Sequence, residues 1–245
     1  MKTALITGVT AGIGEACARM FVADGWNVIG TGRREDRLDA LAGALGSALT
    51  VHMVDMRDRA ALEAFAGGVP PIDLLINNAG YATPAVPLQE AELDPILGMI
   101  ETNIVGLVTL TRALLPNIIA RQGAIINLSS VAATYPYRGG SNYAGTKAFV
   151  RQFTLDLRCD LQGTGVRMTS IEPGMVETEF TVVRNGGDRA ASDAFYEGVD
   201  PMTADDIART IHWVATLPPH LNINTLELMP VNQSWAGFAV HRPEA

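Results

Sequence analysis

Short runs of β-branched and other apolar residues alternate along the chain with longer stretches whose apolar positions recur at helical spacing. The runs at 2–7, 27–32, 49–54, 72–77, 124–128, 166–171 and 225–228 read as strands. Between them, 13–24 reads as a helix with Ala16, Met20 and Ala23 on one face. The segment 35–45 reads as a second helix, with Leu38, Leu41 and Leu45 inward. Further helices are expected at 57–65, 142–162 and 204–216. A long helical stretch covers 91–121 and is interrupted near Thr102-Asn103. From about 174 to 201 the periodicity breaks into a loop with short helical pieces, and a sparsely charged tail occupies about 229–245.

Strand–helix alternation at this spacing predicts parallel βαβ units. The strands are apolar on both faces, as a sheet covered by helices on both sides requires. With right-handed crossovers, the expected fold is α/β: a Rossmann-like, doubly wound parallel sheet in a three-layer α/β/α arrangement. The chain has 245 residues, with no repeat or linker; Pro218-Pro219 reads as a turn between elements. A single domain over 1–245 is the economical reading.

Composition adds exclusions. A chain of which 48% is hydrophobic and 18% charged buries a large core without disulfides. Cys17 and Cys159 fall in helical runs and read as reduced core thiols. The histidines are scattered, so no metal site is expected. A formal net charge of −8 disfavours nucleic acid or an anionic membrane as the main partner. The N-terminal MKTALITGVTAGIG is too short for a secretory apolar region. No run approaches the roughly 18 apolar residues of a membrane span, so a cytoplasmic location is expected.

The first strand ends in Thr7-Gly8-Val9-Thr10-Ala11-Gly12-Ile13-Gly14. Glycines between a strand and a helix start let backbone N–H groups face a pyrophosphate, with the helix dipole favouring the anion. A tight strand–helix turn with no ligand would look the same. The second strand identifies the dinucleotide. An NAD enzyme usually presents a carboxylate to the ribose 2′-hydroxyl about twenty residues past the glycines. Here the strand tip is Thr31-Gly32-Arg33-Arg34, and forked guanidinium groups suit a 2′-phosphate. The cofactor expected is therefore NADP; the alternative is a solvated arginine pair opening the next helix.

The fourth strand runs into Asn77-Asn78-Ala79-Gly80, which by spacing alone reads as a turn. The fifth ends in Ser129-Ser130, and Tyr143-x-x-x-Lys147 follows on the next helix. An i, i+4 pair shares one helical face, so phenol and ammonium can share a site. A phenol, with a pKa of about 10, acts near neutrality only if its phenolate is stabilised, and a nearby cation shifts it that way. Ser130 could hold a substrate oxygen while Tyr143 exchanges its proton. Taken alone, Tyr-x-x-x-Lys is common on surface helices.

These motifs together resemble the short-chain dehydrogenase/reductase family: TGxxxGIG at 7–14, NNAG at 77–80, Asn103, Ser130, Tyr143-x-x-x-Lys147 and Pro173-Gly174, in the family's order and over essentially the whole chain. The resemblance implies that Tyr143 is the general acid/base, that Lys147 holds the nicotinamide ribose and lowers the tyrosine pKa, and that Ser130 orients the substrate oxygen. It implies that Asn103 pins a water in a proton relay, with the interrupted helix as its consequence. Gly8, Thr10, Gly12, Ile13 and Gly14 would line the pyrophosphate region. Arg33 and Arg34 would meet the 2′-phosphate, Asp55 the adenine and Asn78 the ribose. Pro173, Val176 and Thr178 would flank the nicotinamide. Family members commonly form homotetramers.

Stretches at 131–137, 147–153, 171–180 and 226–237 are similar to a subgroup that uses NADP to oxidise the 3-hydroxyl of serine, allo-threonine and related small 3-hydroxy acids. A small-molecule 3-hydroxy acid is thus the implied substrate. The runner-up is reduction of malonic semialdehyde or another short aldehyde. A catalytically idle NADP-sensing protein is the alternative from another class, and it has no need of the serine, tyrosine and lysine together. Arg184 is a candidate partner for the substrate carboxylate, against an exposed loop arginine. Glu179 is a candidate for the ammonium of serine, against a solvated surface position. Tyr135 and Tyr137 are expected to wall the pocket. Trp235 and Phe238 in the tail read as packing on their own domain or as a contact with a neighbouring subunit.

Overall fold

The computed structural model describes residues 1–234; Trp235 and Phe238, and with them the expectation of a tail contact, lie outside the described residues. The elements follow one another as β1 (Thr3–Thr7), α1 (Gly12–Ala23), β2 (Asn27–Gly32), α2 (Glu35–Leu45), β3 (Leu49–Met53), α3 (Arg59–Gly68), β4 (Leu74–Asn77), α4 (Leu93–Ile100), α5 (Leu107–Arg121), β5 (Ala124–Leu128), α6 (Ser141–Asp160), β6 (Arg167–Pro173), β7 (Val176–Glu177), α7 (Glu179–Arg184), α8 (Arg189–Tyr196), β8 (Met202–Thr203), α9 (Ala204–Thr216) and β9 (Thr225–Leu228). Among the described residues, seven strands form one parallel sheet in the order β3-β2-β1-β4-β5-β6-β9. The chain winds outward from β1 in one direction and, after β4, in the other. That reversal opens a crevice at the carboxyl ends of β1 and β4. A short pair, β7 with β8, was not foreseen from the pattern; it ties Val176 to Met202 and Glu177 to Thr203.

Alternation along the central strands supplies both layers of core. Ile6, Ile76 and Ile126 point to the side of Phe21, Leu38 and Ile211, under α1, α2 and α9. Leu5, Leu75 and Ile125 point to the side of Leu62, Leu110 and Leu114, under α3 and α5. Burying each such side chain contributes about 1.5–3 kcal/mol, which makes the alternating register of these strands costly to shift.

Several expectations need correction. The inward face of α1 is Ala16, Cys17, Ala18 and Phe21, with Met20 partly buried against the core; of the expected positions only Ala23 faces solvent. β3 is an edge strand, not buried on both faces: Met53 is 66% exposed. The stretch through Thr102-Asn103 is not interrupted but widened, with a π-helical turn at Glu101–Gly106 joining α4 to α5. Cys17 is buried, and burial pushes its thiol pKa up. Cys159 is exposed rather than in the core, because Val150 and Thr154 take the inward face of α6. The continuous helix Leu93–Arg121 is long and apolar enough by length and composition to cross a membrane, with mean hydropathy 1.4. Leu110, Leu114 and Ile118 are fully buried against the sheet, as in the core helix of a globular fold. At the other end of the chain, Thr203 and Asp206 close a reciprocal capping box at the start of α9.

Candidate active site

The crevice at the strand tips is a cleft of ≈ 1730 Å³. A pocket for one small ligand is typically about 300–1,000 Å³, so a dinucleotide and a small substrate can be held side by side. Gly8 and Gly12 line it with φ +74° and +56°, a conformation that costs glycine little and other residues much. Thr10 and Ile13 line it as well. Gly14 does not: it is buried behind the turn, where any β-carbon would run into the Gly8 carbonyl and the Asn78 amide. Its glycine serves the close approach of α1 to the strand ends, not a ligand surface.

Asn78 borders the cleft, but its amide holds the glycine turn, donating from Nδ2 to the carbonyls of Thr7 at 2.8 Å and Gly8 at 3.2 Å. The Thr7 hydroxyl accepts from the backbone N–H of Asn78 and Ala79 at 3.0 and 2.9 Å. The NNAG turn is thus fastened directly to the glycine turn. Asn77 starts a buried polar chain that the sequence reading missed. Its Nδ2 donates to Thr111 Oγ1 at 2.9 Å and Asn127 Oδ1 at 2.8 Å, and Asn127 donates to Thr154 Oγ1 at 2.8 Å. An asparagine inside the apolar fifth strand was the available signal, since a buried amide must find partners.

At the tip of β2, Arg33 is exposed on the cleft rim. Arg34 is engaged by the protein: it donates from Nη2 to Thr10 Oγ1 at 3.0 Å and from Nη1 to Glu179 Oε2 at 3.0 Å. Arg37, not anticipated, donates to the same carboxylate oxygen at 2.7 Å. Arg34 and Arg37 are one helical turn apart, which was the readable sign. The hydrogen bond from Arg37, opposed by burial and reinforced by Arg34, holds the Glu179 carboxyl below its usual range. The two arginines give Glu179 partners within the protein in place of a merely solvated role. Asp55 also lines the cleft, with its carboxylate forked by Arg57 at 2.8 and 3.2 Å. That fork lowers its pKa more than burial raises it.

Ser129, Ser130, Tyr143 and Lys147 meet where β5 abuts α6. Ser129 donates from Oγ to the Lys147 carbonyl at 2.8 Å, which fixes the helix against the strand end. Ser130 Oγ accepts from the Ala132 N–H at 3.1 Å and reaches the Pro173 carbonyl at 3.4 Å. Lys147 is buried and donates from Nζ to the Leu128 carbonyl at 2.7 Å. Burial depresses its pKa to about 8. The Tyr143 hydroxyl moves the other way: desolvation raises it above the ordinary tyrosine range, opposed by a hydrogen bond from Ser130 and by the charge of Arg184.

Asn103 lies inside the π turn with both ends of its amide in use. Nδ2 donates to the Tyr81 carbonyl at 2.9 Å and to Thr146 Oγ1 at 3.0 Å, while Oδ1 accepts from the Tyr81 N–H at 3.1 Å. The side chain thereby ties the NNAG loop to α6 beside Tyr143 and Lys147.

Pro173, Val176 and Thr178 line the cleft, and Thr178 caps α7 by accepting from the Phe180 N–H at 3.2 Å. Arg184, at the end of α7, sits over the Tyr137 ring at 5.7 Å. Phe180, unforeseen, packs on Tyr143 with ring centroids 5.6 Å apart. Tyr135 lines the cleft with its hydroxyl donating to Glu227 Oε1 at 3.1 Å.

Comparison with known proteins agrees with this geometry. The family model described as short chain dehydrogenase matches residues 2–188. The chain is 58% identical to serine 3-dehydrogenase of Rhizobium radiobacter over 98% of both chains. It is 50% identical to an NADP-dependent 3-hydroxy acid dehydrogenase of Salmonella typhi, over 97% of this chain and 98% of that one. A solved closed form of serine dehydrogenase complexed with NADP+ superposes with a TM-score of 0.96 at 48% identity, over 98% of this chain and 100% of the other. With the glycine turn, the NNAG loop and the Ser130, Tyr143, Lys147 cluster at one crevice of a doubly wound sheet, the chain belongs to the short-chain dehydrogenase family of oxidoreductases.

Proposed function

We propose that this chain catalyses reversible NADP-dependent oxidation of the 3-hydroxyl of serine, allo-threonine or a related small 3-hydroxy acid. The observation that carries the reading is the convergence of Ser130, Tyr143 and Lys147 in a cleft that Arg184 also lines. The names of the two curated relatives support the substrate class. The fit to NADP rests on this chain's own features: the positive-φ glycines that free a backbone cradle, and the exposed Arg33 where an NAD site would need a carboxylate.

NADP, when bound, would supply the hydride acceptor for C3 in oxidation and, in its reduced form, the hydride donor in reduction. Tyr143 Oη takes the hydroxyl proton in oxidation and donates it in reduction. Its raised pKa keeps it protonated in the free enzyme, the form needed for reduction. The Lys147 ammonium would hold the nicotinamide ribose and favour the phenolate. Ser130 Oγ orients the substrate oxygen, Arg184 pairs with the carboxylate in forked geometry, and Tyr135 and Tyr137 wall the pocket. Gly8, Thr10, Gly12 and Ile13 would meet the pyrophosphate, Arg33 the 2′-phosphate, Asp55 the adenine, and Pro173, Val176 and Thr178 the nicotinamide. Oxidised serine carries an aldehyde β to its carboxylate, so it loses CO2 readily.

We further propose a homotetramer located in the cytoplasm. Leu97 and Val105 on the α4–α5 stretch, Phe149 on α6 and Trp213 on α9 are exposed apolar side chains that a partner copy would cover. The deciding experiment assays the purified protein with NADP and NAD on serine, allo-threonine, 3-hydroxypropionate and 3-hydroxyisobutyrate. Turnover of at least one, faster with NADP, is expected. No turnover on any of them rejects the substrate class, and equal use of both cofactors rejects the NADP assignment.

A further inference from the structure

Glu179 opens α7, with Thr178 before it and Phe180 after it. Its carboxylate accepts from Arg37 Nη1 at 2.7 Å and Arg34 Nη1 at 3.0 Å. Both arginines also donate to Thr10 in the glycine turn: Arg34 Nη2 and Arg37 Nη1 reach the Thr10 carbonyl at 3.2 and 3.3 Å. Three parts of the chain therefore meet in one ion cluster: the glycine turn, the start of α2 and the start of α7. One half-exposed pair holds little, but two guanidinium groups sharing one carboxylate and one carbonyl form a network. Arg33 takes no part in it.

The cluster has consequences one residue to either side. Thr178 is seated against Gly12, where a β-carbon would come within 3.3 Å of the Thr178 Cβ. Phe180 is seated on the Tyr143 ring. Arg184 lies at the far end of the same short helix and over Tyr137. The placement of the substrate segment is thus fixed from the adenosine end of the cleft, away from the reacting atoms.

We propose that Glu179 is a positioning residue: through Arg34 and Arg37 it docks the substrate segment onto the cofactor-binding end and so sets Phe180 and Arg184 about Tyr143. This rests on the 3-hydroxy acid reading above. It also divides the arginine pair, leaving Arg33 to the 2′-phosphate and giving Arg34 to the docking.

The test uses the full chain with Glu179→Gln, Arg37→Met and the double variant. KM for the 3-hydroxy acid turned over best should rise about threefold to tenfold in each single variant, as expected for loss of a small ion network. kcat and the NADPH Kd should change less than KM does, and the double variant should fall short of the sum of the two single effects, since the two share the Glu179–Arg37 contact while Arg37 keeps a second one to Thr10. Trypsin should cut after Arg184 and Arg189 faster in all three, as read by mass spectrometry with NADPH present. If either KM or the cutting rate fails to move, the docking role is overturned. It is also overturned if KM, kcat, NADPH affinity and Tm all worsen together, which would mark general damage to the fold. If the wild type turns over no 3-hydroxy acid, the substrate reading falls, and the cutting rate alone still decides the docking.

Discussion

The ammonium of Lys147 stands 5.8 Å from the centroid of the Tyr143 ring and gives its hydrogen bond to the Leu128 carbonyl, not to the phenol. The two side chains share a helical face and a cleft, and burial shifts their pKa values in opposite directions. Both shifts disfavour the charged form, the lysine as ammonium and the tyrosine as phenolate.

Replacing Tyr143 with Phe removes the proton donor and leaves the ring against Phe180. NADPH binding, followed by fluorescence, should be retained, while kcat falls by about 10²–10⁴. Unaffected turnover would remove Tyr143 from the acid/base role.

Lys147 makes a pH-dependent contribution to stability whose sign follows from its depressed pKa. Between about pH 8 and the ordinary lysine range, the unfolded chain binds this proton and the fold does not. Stability therefore rises with pH across that window, and the cost of the buried ammonium is fully present below it. Measured against Lys147→Met, the wild type should gain on the order of 2 kcal/mol between pH 8 and 10, by denaturant unfolding at each pH. A constant difference between the two proteins would show that Lys147 keeps its proton in the fold.

Arg33→Asp should weaken NADPH binding about 10- to 100-fold, the worth of a charged hydrogen-bond partner, and NADH binding far less. Titration calorimetry with both cofactors checks this. Equal losses would sink the 2′-phosphate assignment.

Arg184→Ala should raise KM for the 3-hydroxy acid about tenfold or more and leave the NADPH Kd within about twofold. Steady-state kinetics decide it, and an unchanged KM would take Arg184 out of the site.

Much of this protein was legible along the chain. The strand β5 and the helices α2 and α9 fall where hydrophobic periodicity puts them, because burial on one or both faces is written into successive residues. The chemistry-bearing motifs were legible for a related reason: Gly8, Ser130, Tyr143 and Lys147 each sit at a strand tip or on the helix just beyond one, where local sequence sets the geometry. Gly14 and Asn78 were found as well, but not their part in packing α1 and the NNAG loop against the glycine turn, which depends on neighbours far away in sequence.

The sequence by itself determined the doubly wound order of elements, the glycine turn and the serine, tyrosine and lysine that share the cleft. Only the tertiary structure decided how charge is distributed around them. Glu179 is bound to Arg34 and Arg37, more than a hundred positions away, and the tyrosine and lysine pKa values follow from how deeply each is buried. Periodicity reports which face of an element is buried. It carries no information on which distant charges meet there or how much water remains, and those two quantities set the electrostatics of a site.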